Sequence, residues 1–236
     1  MPSTLAVAVL TTAALAGSLA TTATSAEAVT AAPTSAATDT VKTSSADIDG
    51  DGRRDRVTFA QKREDRRGCH YTLTVKTARG AVVSTPVTAR GTCDPLMSWW
   101  GPIAMDGTPG AEIVVNLTPE SADFALRVYR WQRGALVLQA APGARGSRDA
   151  RNTWVAANTP RHHAGYTFST KRGVRYVVRH DLRPYRKTGK LSGTHTTYRW
   201  APATKTWVRV SSTRSGLVTE RVAQLKYSGI LGAARY

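Results

Sequence analysis

The segment Asp47–Phe59, DIDGDGRRDRVTF, constrains this chain more than any other stretch. Positions 1, 3, 5 and 9 of a short loop carry the carboxylates of Asp47, Asp49, Asp51 and Asp55. Gly52 stands at position 6, where such a loop turns sharply, and the backbone carbonyl of Arg53 at position 7 can supply a further oxygen. Carboxylates this close repel one another unless a cation or several backbone N–H groups compensate their charge. The spacing therefore predicts a Ca²⁺ site, because this ion binds roughly six to eight oxygens.

The residues that follow the loop indicate what kind of site it is. In an EF-hand, position 12 is a bidentate Glu and the chain continues as a helix. Here position 12 is Thr58, within a β-branched run, so the loop leads into a strand. The pattern resembles the FG-GAP/VCBS repeat family, calcium-loop β repeats that also occur in integrin α-subunits. The resemblance implies that Asp47, Asp49, Asp51 and Asp55 are side-chain ligands. A solvated acidic turn stays open as the alternative, since D-G pairs also mark ordinary turns.

Residues 1–28 are interpreted as a secretory signal peptide. Leu5–Ala20 forms its apolar and small-residue core, and Ala26-Glu27-Ala28 offers a cleavage site. Thr, Ser and Gly dilute this run, which argues against a membrane anchor. No Lys or Arg precedes Lys42, so the basic start of a signal peptide is absent and a start upstream of Met1 is left open.

The remaining chain is divided by composition. Residues 29–45 are rich in Ala, Thr and Ser and are expected to form a flexible leader. Residues 46–236 are then a single β domain, of which 46–141 hold two repeat-like units and 142–236 a basic hairpin region. We expect an extracellular protein with no transmembrane segment in its mature form.

Alternation of polar and apolar residues predicts a series of hairpins. The predicted strand pairs are 71–77 with 81–87, 124–131 with 135–140, 166–170 with 174–180, and 194–200 with 206–212. A helical period is indicated only near residues 216–225. The fold class is therefore all-β, an antiparallel hairpin meander. The repeats suggest either eroded β-propeller-like blades or a small β-sandwich.

Residues 103–117 look like a second, degenerate copy of the loop and its strand. At an offset of 57 residues, Asp49-Gly50 falls on Asp106-Gly107 and Asp55 falls on Glu112. The equivalents of Asp47 and Asp51 are Ala104 and Thr108. The copy thus keeps only Asp106 and Glu112 as a weak second loop, which we expect to bind nothing. The family resemblance covers about residues 47–141.

Cys69 and Cys93 are the only cysteines and flank the first predicted hairpin. Folding that hairpin brings them together, so an exported protein is expected to form a disulfide at its base. Two free thiols or a metal pair are the alternatives.

The net charge of +17 is unevenly distributed. Residues 142–236 hold 19 Lys and Arg against 3 Asp and Glu, whereas residues 42–141 hold 14 against 11. Such a field attracts polyanions, and we expect an anionic polysaccharide or cell-wall polymer as partner. The alternative is that the charge is only compositional. Nucleic acid is disfavoured, because no nucleic-acid-binding motif appears and the protein is expected to be exported.

No catalytic motif accompanies the loop. The chain lacks a G-x-S-x-G elbow, a P-loop, a dinucleotide fingerprint and an H-E-x-x-H pair, and nothing singles out a pair of acids. Its histidines are assigned to surface loops and its tryptophans mainly to the core. We expect a secreted, non-catalytic calcium-binding β-repeat protein. A secreted hydrolase or a carbohydrate-binding module on the same scaffold is the alternative.

Overall fold

The computed structural model describes residues 40–91, 93–186 and 188–236. The predicted signal peptide and most of the predicted leader lie outside these residues. The first half contains strands β1 Val41–Ala46, β2 Asp55–Asp65, β3 Gly68–Lys76, β4 Val82–Ala89, helix α1 Pro95–Ser98, and strands β5 Trp99–Ala104, β6 Glu112–Asn116, β7 Asp123–Gln132 and β8 Ala135–Leu138. The second half contains α2 Arg148–Arg151, β9 Trp154–Thr159, β10 His162–Lys171, β11 Val174–Pro184, β12 Leu191–Ala201, β13 Thr206–Arg214, α3 Glu220–Tyr227, β14 Gly229–Leu231 and β15 Ala234–Arg235.

The described strands form two open sheets. Strands β1 to β4 make a four-stranded antiparallel meander. The other eleven strands make a second sheet in the order β13-β12-β11-β10-β9-β7-β6-β5-β15, with β8 paired to β7 and β14 paired in parallel to β10. The prediction of a mainly β chain built from antiparallel hairpins is confirmed. Neither sheet closes on itself, and the described strands do not form the ring of blades of a propeller.

The four predicted hairpins are the pairs β3–β4, β7–β8, β10–β11 and β12–β13. In two of them the turn is an Arg-Gly pair in which both residues have positive φ, namely Arg133-Gly134 and Arg172-Gly173. Two-residue turns of this handedness match the twist of the flanking strands. Glycine supplies the second position at no steric cost, which is why the x-R-G pattern marks these turns.

The structure differs from the predicted leader at its end. Residues 41–45 belong to β1, which pairs along its whole length with β2, from Val41 opposite Ala60 to Ala46 opposite Asp55. Only Ala46 of this strand is buried. The strand is held by backbone hydrogen bonds to β2. Because its side chains are small and mostly polar, they show no apolar alternation from which a strand could be predicted.

Two large apolar clusters meet at β6, and a third, smaller cluster joins Leu182 and Leu191 to Ala223 of α3. The first cluster joins the four-stranded sheet, with Phe59 and Leu73, to Ile113 and Val115 of β6. The second cluster lies in the large sheet and includes Val114 on the opposite face of β6. Successive side chains of a strand point to opposite faces. Strand β6 is therefore buried on both sides, and its first residue, Glu112, enters the interior.

All six tryptophans contact these clusters. Trp154, Trp200 and Trp207 are buried, and Trp99, Trp100 and Trp131 pack partly buried against them. The assignment of tryptophans mainly to the core is confirmed, and none of the six is exposed in the part of the chain that the structure describes.

The prediction that the histidines lie in surface loops is wrong. His162 and His195 lie on strands β10 and β12 and are partly buried, and His163 and His180 are further from solvent. They are buried on β10 and β11, where His163 Nδ1 lies 3.0 Å from Ser228 Oγ and His180 Nδ1 lies 2.8 Å from His195 Nδ1. His195 faces His180 across two paired strands, whereas Ser228 follows helix α3, and no sequence spacing indicated either partner.

Helix α3 begins at Glu220, where the Thr219 side chain caps the N–H of Val222, and ends at Tyr227, two residues beyond the predicted helical period. None of the helices in the described part of the chain has the length and apolar character needed to cross a membrane.

Candidate metal centre

The loop between β1 and β2 gathers three of the four predicted ligands. Carboxylate oxygens of Asp47, Asp49 and Asp55 lie within 4.8 Å of one another. Asp55 is buried, and the other two are partly exposed. The pairing of Ala46 with Asp55 brings the two ends of the loop together, so residues that are eight apart in sequence face the same point. This cluster, called here the acidic triad, could hold a metal ion.

The loop is shaped by hydrogen bonds from its own backbone. Asp47 accepts the N–H of Gly50 on Oδ1 at 2.7 Å and the N–H of Gly52 on Oδ2 at 2.9 Å. Both glycines have φ near +80°, a conformation that other residues rarely adopt. The D-G-D-G sequence therefore lets the chain wrap around the Asp47 carboxylate.

Asp55 joins the loop to the neighbouring hairpin. Its Oδ2 accepts the N–H of Ile48 at 2.7 Å and that of Asp49 at 3.2 Å. Its Oδ1 accepts the N–H of Ala78 at 2.8 Å, in the turn between β3 and β4. A carboxylate with three backbone donors is well satisfied inside the protein. Asp55 is thus a structural anchor as well as a member of the triad.

Asp51, the fourth predicted ligand, is placed outside the triad. Its Oδ2 accepts the Nε–H of Arg79 at 2.8 Å, and its Oδ1 accepts the N–H of Arg53 at 2.8 Å. The guanidinium compensates this carboxylate, which is why it does not join the other three. Arg53 is exposed, and its carbonyl as a ligand stays a prediction.

Asp49 is the least compensated acid of the triad. Within the described chain, its carboxylate accepts one hydrogen bond, from the N–H of Asp51 at 3.2 Å. Partial burial, together with the neighbouring charges of Asp55, Asp51 and Asp47, raises the pKa of the Asp49 carboxyl. A bound cation would reverse this effect, since an opposite charge favours the ionised form.

The β5–β6 loop repeats the geometry of the β1–β2 loop at the offset of 57 residues. Ile103 pairs with Glu112 as Ala46 pairs with Asp55. Glu112 Oε2 accepts the N–H of Met105 at 2.7 Å and that of Asp106 at 3.4 Å, as Asp55 does with Ile48 and Asp49. The two loops therefore share backbone register and the same internal anchor.

The β5–β6 loop compensates its acids with side chains of the protein. Asp106 accepts Thr108 N–H at 2.8 Å and Gln139 Nε2–H at 3.0 Å. Arg175 donates to the carbonyl oxygens of Met105 at 2.8 Å and Ala104 at 2.9 Å. Asp106 and Glu112 are not part of any three-residue metal cluster among the described residues. Burial, and next the charge of Asp106, raise the pKa of Glu112 well above its usual value.

The two loops touch. Ala111 N–H donates to the carbonyl oxygen of Asp47 at 2.7 Å. A Cβ on Gly50 would lie 2.8 Å from the Pro109 oxygen, and one on Gly110 would lie 2.6 Å from the Ile48 oxygen. Glycine is required at both positions because the backbones approach this closely.

The predicted disulfide between Cys69 and Cys93 is confirmed, with a Cα–Cα distance of 5.2 Å. Cys69 stands at the base of the β3–β4 hairpin, opposite Ala89, and Cys93 lies just beyond β4. The bridge therefore fixes the strand whose turn holds Ala78 and Arg79.

Comparisons with protein-family models, characterised proteins and solved structures gave no match for this chain.

Sequence reasoning missed Arg79 and Arg175, which decide how the two loops differ. Arg79 lies in a predicted turn, and Arg175 follows another turn 70 residues after Met105. Their roles depend on packing between distant segments. The sequence held one local signal of the difference between the loops. The β5–β6 loop has Ala104 at the position equivalent to Asp47, so it lacks a carboxylate there.

Proposed function

We propose that this chain is an exported, non-catalytic β-repeat protein of the FG-GAP/VCBS type, in which the loop Asp47–Asp55 binds Ca²⁺. The acidic triad carries the proposal, because three carboxylates meet within 4.8 Å in a loop that also carries the family's residue pattern. The ion has a structural role. It compensates Asp49 and fixes the loop against the β5–β6 loop and the β3–β4 turn.

The ligand chemistry favours Ca²⁺ over other metals. The triad offers carboxylate oxygens and no imidazole or thiolate, which suits a hard cation. The partly exposed side of the loop leaves room for water and carbonyl oxygens to complete a flexible shell, whereas Mg²⁺ requires near-ideal octahedral geometry. Extracellular modules of this kind bind calcium with affinities on the order of 0.1 to 1 mM.

Export and an anionic partner are further parts of the proposal. The Cys69–Cys93 disulfide is typical of an oxidising compartment. The net charge of +17 favours association with an anionic polysaccharide or cell-wall polymer outside the cell.

Thermal unfolding of the full chain under non-reducing conditions tests the calcium site. Unfolding temperatures are compared in excess EDTA, in millimolar CaCl₂ and in millimolar MgCl₂. With a Kd of roughly 0.1 to 1 mM, calcium at about 10 mM would add about 1.4 to 2.7 kcal/mol to the free energy of unfolding. We expect an upward shift of several degrees with CaCl₂ and a much smaller one with MgCl₂.

Two matched variants locate the effect. Asp49→Asn keeps the size of the side chain and removes its charge, so it should abolish the calcium shift while leaving stability in EDTA equal or higher. Asp106→Asn makes the same change in the β5–β6 loop and should keep the calcium shift. A wild-type protein that does not respond to calcium, or an Asp49→Asn variant that responds as wild type does, would overturn the assignment.

A further inference from the structure

Three adjoining depressions form one groove where the four-stranded sheet meets the large sheet. The first, of about 470 Å³, lies between Thr85 and Pro86 of edge strand β4 and Arg148 and Arg151 of α2. The second, of about 360 Å³, shares Arg127 with it. The third, of about 490 Å³, shares Arg67 and Arg90 with the second. The groove therefore runs along the outer edge of β4, which has no strand partner on that side.

The groove is lined by six arginines, defined here as the arginine groove: Arg66, Arg67, Arg90, Arg127, Arg148 and Arg151. Its only acidic lining residues, Glu64 and Asp65, lie in the third depression at one end. Like charges that line one concave surface reinforce one another and attract a ligand of the opposite sign.

Most of this positive charge has no counter-ion in the protein. Among the described residues, Arg127 alone of the six makes an ion pair, at 3.2 Å to Asp149, whose side chain is 84% exposed. Arg127 Nε is buried without a hydrogen-bond acceptor. The groove thus presents guanidinium groups that are free to bind carboxylate or sulfate oxygens in a bidentate manner.

The polar groups between the arginines favour a sugar polymer. Thr85, Thr88 and Asn152 supply hydroxyl and amide groups along the same surface, whereas the Thr118 hydroxyl is already bonded to Asp123 and Ala125 of the backbone. The only aromatic lining residue, Tyr129, is 3% exposed and offers no face for stacking. Single-stranded nucleic acid is normally bound on exposed aromatic rings. A chain that alternates hydroxyls with carboxylates is the better match.

We propose that the arginine groove binds a linear acidic polysaccharide along the edge of β4. This inference rests on the proposed association with an anionic extracellular polymer and is independent of the calcium site. The acidic groups of the sugar chain pair with Arg90, Arg148 and Arg151, and its hydroxyls bond to the threonine and asparagine side chains between them.

Binding of the full chain to carboxymethyl-dextran tests the proposal, with unmodified dextran as the uncharged control. The triple variant Arg90→Gln, Arg148→Gln, Arg151→Gln removes three groove charges. Its matched control, Arg209→Gln, Arg214→Gln, Arg221→Gln, removes three exposed arginines on β13 and α3, away from the groove. Affinities are measured by isothermal titration calorimetry at several salt concentrations in fixed CaCl₂, and far-UV circular dichroism checks that each variant folds.

We expect salt-dependent binding of carboxymethyl-dextran by the wild type and none of dextran. The groove variant should lose at least about tenfold in affinity, and the control variant less than about threefold. Equal losses of affinity in the two variants would overturn the assignment of binding to the groove and would leave the proposed anionic partner in place. No binding by a folded wild type would overturn both, whereas the calcium response would be unaffected.

Two further arms distinguish the chemistry. Lysine in place of the three groove arginines keeps the charge and removes the bidentate fork, so an affinity equal to wild type would overturn guanidinium recognition.

Oligo(dT) is the nucleic-acid probe. Tighter binding of oligo(dT) than of carboxymethyl-dextran, lost in the groove variant, would overturn the assignment to a polysaccharide.

Discussion

The unit β1–β4 and the unit β5–β8 begin with the same strand-loop-strand hairpin and compensate its acids in different ways. In the first unit the acidic triad meets at a partly exposed point, and Asp49 has little compensation from the protein. In the second, Asp106 is buried and bonded to Thr108 and Gln139, and Arg175 spans the loop backbone. The same backbone shape therefore occurs once around an acidic cluster that could hold a cation and once around acids bonded to buried groups of the protein.

The surroundings of the two units explain why the acids of their loops have different partners. The first unit is a separate sheet, and its loop is reached by solvent on one side. The second unit is inserted in the large sheet, where β10 and β11 bring Arg175 over its loop. The first unit has the disulfide as a covalent cross-link, and the proposed cation at the triad would add a second one.

Removal of the disulfide should produce the largest effect and should act through the first unit. The bridge closes a segment of 24 residues, so the variant Cys69→Ser, Cys93→Ser should lose about 3 to 4 kcal/mol of unfolding free energy in the chain-entropy model. Urea denaturation of the full chain measures the loss. A loss below about 1 kcal/mol would show that burial alone holds the first unit.

The paired anchors Asp55 and Glu112 provide the sharpest comparison of the loops. Asp55 uses both oxygens as acceptors, so Asp55→Asn turns an NH₂ group toward a backbone N–H. We expect a loss of about 2 to 4 kcal/mol, because buried donors are left without a partner. Glu112→Gln keeps an oxygen for the N–H of Met105 and should cost less than about 1 kcal/mol at pH 7. Equal losses by urea denaturation would contradict the difference between the anchors.

Arg175 tests whether the β5–β6 loop is held by a protein cation. Arg175→Met keeps the apolar stem and removes the donors to Met105 and Ala104, so we expect a loss of about 2 kcal/mol. The exposed Arg209→Met is the matched control and should change stability by less than about 0.5 kcal/mol. The calcium shift of Arg175→Met should equal that of wild type. A lost shift would show that the two loops do not work separately.

The sequence allowed the β elements and much of the first loop to be predicted, because both depend on local patterns. Strand alternation and the Arg-Gly turns predict the hairpins, and the spacing of Asp47, Asp49 and Asp55 follows from the geometry of one short loop. The sheet order and the partners Arg79 and Arg175 could not be predicted, since they depend on segments far apart in sequence. Asp51 as a ligand stays a prediction, and its pairing with Arg79 could not be read from the spacing within the loop.

The pH dependence of the unfolding free energy is the smallest of the expected effects, and it differs between the two loops. Burial beside Asp106 raises the pKa of Glu112, so the folded protein keeps a proton that the unfolded chain releases above pH 4.5. Stability from this group is complete below that pH and falls as the pH rises, by up to about 1.4 kcal/mol per pH unit. Glu112→Gln cannot release the proton, so its stability relative to wild type should increase with pH.

In the first loop, Asp49 is expected to cause a loss of stability with rising pH only in the absence of calcium. Its raised pKa predicts that wild type in EDTA loses stability above pH 3.8 relative to Asp49→Asn. Saturating calcium favours the ionised carboxylate and should abolish this loss, whereas the slope caused by Glu112 should persist in both buffers. Unfolding free energies from urea denaturation at several pH values measure both slopes. An Asp49 slope that persists in calcium would mean that the ion does not contact Asp49, and the contrast between a cation-held loop and a side-chain-held loop would then be wrong.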